Sequence, residues 1–127
     1  MPKFRTPEEE LEYLREHVKL REQELIERGH FEAAGDDAIK ETIAKYRNQS
    51  AEKVLHKDHL LKEKDKEQIV LALKPETHDA VMEELLGIVI TKGIRNAISV
   101  VDHMASEHVD DDFHRILVQY LKNKNND

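Results

Sequence analysis

"PETHDAVMEELLGIVITKGIRNAISVVDHM", residues 75–104, decides the fold of this chain. Val81, Leu85, Ile88 and Val89 recur at the spacing of one helix face. Gly93 follows where a helix-ending glycine belongs, and Ile94, Ala97, Ile98 and Val101 then open a second apolar face. "DDDFHRILVQYL", residues 110–121, adds a third helix with Phe113, Ile116, Leu117, Tyr120 and Leu121 on one side. Helices joined by such short connectors must pack on one another, so residues 75–122 are expected to form a compact three-helix unit. Residues 123–127 are expected to be a disordered tail.

Upstream, the pattern is narrower. "TPEEELEYLREHVKLREQELIERG" has Thr6 as a candidate N-cap, Pro7 at the first helical position, Glu9 completing a capping box and Gly29 as a stop. Leu11, Leu14, Val18 and Leu25 make a thin stripe that Arg21 interrupts, as in a helical hairpin. Phe31, Ala34, Ala38, Ile39, Ile43 and Tyr46 give the returning helix, with Gly35 marking a bend or a fresh start. Val54 and Leu55 end a short helix, "HKDHLLKEKDK" reads as a polar connector, and "EQIVLAL" is a short helix before Pro75. His56 and His59 fall in that connector and are expected to be solvated. The fold class is therefore all-α: an N-terminal helical hairpin with its polar connector over 1–74, then the three-helix unit over 75–122.

Composition agrees. In 127 residues, charged side chains make up 37% and apolar ones 39%, which suits helices with wet faces around a small core. There is no cysteine, so disulfides and thiolate metal sites are excluded. The longest apolar run, "LLGIVI", is far shorter than the roughly 20 residues a membrane helix needs, and the N-terminus lacks a signal-peptide stretch. A cytoplasmic location is the expectation. The net charge is −7. Acidic surface repels phosphate backbones, so nucleic-acid binding is disfavoured.

One stretch carries candidate chemistry. "HMASEHVDDDFH", residues 103–114, sets His103, His108, Asp110 and His114 close together in sequence, which would make a zinc-type site if they converged. The simpler reading is a helix joint, with Asp110 as N-cap and Asp111 and Asp112 complementing the helix dipole. A helix-turn-helix reading would make "TKGIRNAISVVDHM" the recognition helix, but Arg95 is its only arginine, Lys92 precedes it and Asp102 lies near its end. Catalysis finds no support: no phosphate loop, no GxSxG and no HExxH pattern occur. No catalytic residue and no cofactor are expected.

Several stretches together, "YLREHVKLREQELIERG", "EKVLHKDH", "IVLALKPETHDAVMEELLGIVITKGIRNAISVV" and "DDFHRILVQYL", resemble a helical segment of large uncharacterised bacterial proteins. Those proteins also carry regions like type IV secretion (conjugation-type) ATPases. The resemblance covers residues 7–121 and carries no site residue with it. It implies an assembly or regulatory segment at the inner face of a membrane machine, not ATP hydrolysis. The expectation is a non-enzymatic protein–protein interaction or scaffold module, self-associating through its N-terminal helices or binding another protein. A metal-binding regulatory domain and a helix-turn-helix DNA binder are the alternatives.

Overall fold

The computed structural model describes residues 3–122, and these form helices joined by short connectors. The helices are α1 (Pro7–Glu27), α2 (Ala34–Arg47), α3 (Ala51–Val54), α4 (Glu63–Leu73), α5 (His78–Lys92), α6 (Ile94–Met104) and α7 (Glu107–Lys122). The protein is all-α. The one strand-like pairing among the described residues is a bridge in which Phe4 and Leu55 lie parallel. There Phe4 donates to the Val54 carbonyl at 2.7 Å and His56 donates to the Phe4 carbonyl at 2.8 Å.

Local signals account for several of the helix ends. Thr6 caps α1, its hydroxyl accepting from the Glu9 N–H at 3.1 Å. Glu9 reaches back to the Arg5 N–H at 2.7 Å, one residue beyond the partner a capping box would use. Gly29 takes φ +86° just past the end of α1. Thr77 caps α5, accepting from the Ala80 N–H at 3.3 Å, so the helix begins at His78 rather than at Pro75. Lys74 keeps helical dihedrals although Pro75 follows it.

Two expectations are corrected. Phe31 does not belong to the apolar face of α2: Ala33 adopts a left-handed conformation at φ 56°, α2 starts only at Ala34, and Phe31 is left 71% exposed. Asp110 is not the N-cap of α7. The helix begins three residues earlier, and the Ser106 hydroxyl accepts from the Val109 N–H at 3.3 Å. Asp110 instead points across to α2, where the Arg47 guanidinium donates to it at 2.7 Å and to Asp102 at 2.6 Å.

The core is built around α6, which buries seven of its residues, Ile94 to Ile98 together with Val100 and Val101. α5, α4 and α7 pack around it, and α1 and α2 close the remaining side. One apolar cluster runs from Phe4 and Leu14 through Val54, Leu55 and Leu73 to Leu85, Ile98, Phe113 and Leu121. The described residues of the first segment, 3–74, therefore share a single core with 75–122. The notional tail at 123–127 lies outside the described residues.

Candidate functional site

The helix joint at 103–114 forms as a joint, and its histidines disperse. Ala105 ends α6 in a left-handed conformation at φ 53°. His103 turns to α4, with its Nε2 3.0 Å from a Glu63 carboxylate oxygen. His108 turns to α5 and stacks on His78, the ring centroids 4.4 Å apart. Asp110 is engaged by Arg47, and His114 is half-buried on α7. The set His103, His108, Asp110 and His114 is thus not brought to one point. Two other groups are: His78, His108 and Asp112, and the exposed trio Glu63, Glu67 and His103.

The heart of the fold holds an unexpected polar centre. Glu10 of α1 is fully buried and lies against the N-terminus of α6. Its carboxylate accepts from the backbone N–H groups of Ile94 and Arg95, the latter at 2.9 Å, and from the Tyr46 hydroxyl. A carboxylate placed on the free N–H groups of a helix start is the arrangement the helix dipole favours. Burial nevertheless pushes the Glu10 carboxyl above its ordinary value, against the lowering effect of these hydrogen bonds. Burial, with Glu10 beside it, pushes the Tyr46 phenol strongly upward as well.

Gly93 makes this approach possible. It adopts φ +96°, and a Cβ there would meet Glu10 Oε1 at 2.6 Å and His59 Nε2 at 3.3 Å. His59 is therefore not a solvated connector residue. Its Nε2 is buried beside the Glu10 carboxylate, while its backbone carbonyl accepts from Asn96 at 2.9 Å. His56, also expected to be solvated, is half-buried as well, its side chain 25% exposed and its Nδ1 3.5 Å from Asp58. No periodicity marks this centre: Glu10 sits among three consecutive glutamates that all read as first-turn acids.

The polar residues at the start of α6 are engaged internally. Arg95 donates to the Gln49 carbonyl and to Ser99, both at 2.9 Å. Asn96 ties the loop after α3 through Leu61 N–H at 3.0 Å. A recognition helix must offer a basic, exposed face to a groove; α6 has neither an exposed start nor a free arginine.

The surface that stands out is the far end of the first two helices. No residue from 15 to 33 is buried. That stretch nonetheless carries Leu20, Ile26 and Phe31 at 49%, 42% and 71% exposure. Val18 and Leu25 are half-buried, and Gly35 lets α2 approach α1 closely, a Cβ there falling 3.0 Å from the Glu22 carboxylate. Arg21, which breaks the apolar stripe, is used between the helices: it donates to Glu41 at 2.8 Å and to Glu24 at 3.1 Å. The open side between α1 and α2 is lined by Tyr13, His17, Leu20, Thr42 and Lys45. The Tyr13 and His17 rings lie 4.2 Å apart along it.

No helix among the described residues is long and apolar enough to cross a membrane. No family model matches the chain, and no curated protein or solved structure matches it.

Proposed function

We propose that this protein is a non-enzymatic helical interaction or scaffold module whose partner-facing element is the α1–α2 arm. One observation carries the reading. No residue of 15–33 is fully buried, yet three of the five exposed large apolar side chains among the described residues, Leu20, Ile26 and Phe31, fall within them. Scattered single apolar residues are ordinary on a surface, but their concentration in one largely exposed stretch supports a contact site there. In this reading α1 and α2 act as a helical hairpin and α5–α7 as the three-helix base to which its root is fixed. The resemblance to segments beside type IV secretion-like ATPases fits such an assembly role.

The occupant favoured here is another helix, either from a second copy of the chain or from an assembly protein, laid along the open side between α1 and α2. The acidic surface supports a protein partner over nucleic acid. The test is association of the full chain by sedimentation over a concentration series, together with capture of partners from the native cell. Phe31→Ser and Leu20→Asp should weaken association and leave the melting temperature within a few degrees of the parent. A chain that stays monomeric and captures the same proteins with and without these changes would remove the arm from the reading.

A further inference from the structure

His78 and Asp112 stand at the junction of α5 and α7. His78 opens α5, directly after the Thr77 cap. His108 and Asp112 lie four residues apart on α7 and so share one helix face. The three donor atoms lie within 4.8 Å of one another. Both imidazole Nε2 atoms face the same carboxylate oxygen, that of His78 at 2.6 Å and that of His108 at 3.9 Å. The rings stack at an interplanar angle of 24°.

We infer that His78, His108 and Asp112 form a binding site for one divalent transition-metal ion of the zinc class. Ligand atoms on a tetrahedral zinc ion, at about 2.0–2.1 Å from the metal, stand about 3.3 Å from one another. The two Nε2–carboxylate separations bracket that value, and the stacked rings would turn about their side-chain bonds to aim both Nε2 lone pairs at one ion. Two imidazoles and one carboxylate suit zinc, cobalt or nickel; magnesium and calcium take oxygen ligands. Three protein ligands leave a position for water or for a group from a partner. Both helix N-termini bring partial positive charge to the spot, and Asp79, Glu107 and Asp110 in the same turns offset it. The ion would fasten the start of α5 to the start of α7, two segments far apart in the chain.

The competing trio Glu63, Glu67 and His103 is exposed throughout, and Glu63 already accepts an ion pair from Lys66 at 2.9 Å. Arg115 approaches Asp112 through its other carboxylate oxygen at 3.4 Å, so that ion pair does not engage the oxygen that faces the histidines.

The test uses the full, tag-free chain stripped with chelator. Zinc titrated by calorimetry should bind one ion per chain and raise the melting temperature. Cobalt should give the visible absorption of a low-coordinate site and broaden the His78 and His108 ring signals. His78→Ala and Asp112→Asn should abolish all of these, while His103→Ala and His114→Ala should leave them intact. Circular dichroism of the metal-free variants checks that each is folded. His108→Ala keeps the test sound if a half-buried position proves essential, because the His108 side chain is 76% exposed. Absence of zinc binding, binding that survives both His78→Ala and His108→Ala, or binding lost with His103→Ala alone would overturn the site.

Discussion

The Glu10 carboxylate accepts the Arg95 backbone N–H at 2.9 Å, so a side chain of the first helix caps the sixth, 85 residues away. Removing it leaves the Ile94 and Arg95 N–H groups and the Tyr46 hydroxyl without a partner in the core. Each unsatisfied buried donor costs about 1–3 kcal/mol, so Glu10→Ala should lower stability by about 3–5 kcal/mol in urea unfolding. Tyr46→Phe, which removes a single donor, should cost about 1–2 kcal/mol. A Glu10→Ala variant as stable as the parent would show that the cap contributes nothing.

The same carboxyl should leave a signature in pH dependence. Burial raises its folded-state value above 4.5, the ordinary value it keeps in the unfolded chain. The folded protein then holds this proton more tightly, so stability from Glu10 is full below the unfolded value and falls as pH rises through the folded one. Asp112 behaves oppositely, since the His78 hydrogen bond holds it below its ordinary value and its contribution is lost on acidification. The two slopes mix in the parent protein. The difference between the parent and Glu10→Gln, measured over the same pH series, should isolate the downward slope with rising pH. An upward slope in that difference would mean that hydrogen bonding outweighs burial.

Leu85, Ile98 and Leu117 are each at most 1% exposed and lie in the shared core. Replacement by Ala should cost about 2–5 kcal/mol for each, read from denaturant midpoints at constant slope.

The shared core also bears on what folds alone. Residues 75–122 expressed without the rest would lose the Glu10 cap on α6 and the cover that Leu14, Val54, Leu55 and Leu73 give the core. That fragment should show helical signal with a broad, weakly cooperative melt. A sharp two-state transition would instead support 75–122 as an autonomous unit.

How much of this was legible follows from the range of each interaction. The occurrence of helices within 75–121, the Thr6 cap and the Gly29 stop follow from residues within a turn or two, and periodicity and capping chemistry report them, although α5 starts at His78 and α7 at Glu107 rather than where the pattern suggested. Phe31 misled because it sits at helical spacing from Ala34 and Ala38, while the left-handed turn at Ala33 removes it from the helix. The Glu10 centre had no local trace: an acid in a first turn looks the same whether it faces water or caps another helix. The His78 ligand was missed for a like reason. The sequence shows His108 and Asp112 as neighbours, but only the packing of α5 on α7 brings His78 to them.

The joint before α7 offers the last discrimination, between a cap and an ion pair. Ser106 accepts the Val109 N–H, whereas Asp110 meets Arg47, which also holds Asp102. Ser106→Ala should cost about 0.5–2 kcal/mol by leaving a helix-start donor unmet, and that cost should be the same in low and high salt. Asp110→Ala should cost about 0.2–1 kcal/mol, because the lost pair is partly exposed and Arg47 keeps Asp102. Salt screens such a pair, so the Asp110→Ala deficit should shrink as ionic strength rises toward 1 M, where the screening length is about 3 Å. Arg47→Met should reproduce the salt-sensitive part and exceed it, since it releases α2 from α6 and α7 together. If Asp110→Ala proved salt-insensitive and Ser106→Ala silent, the capping role would return to Asp110 and the start of α7 would lie four residues later than the structure places it.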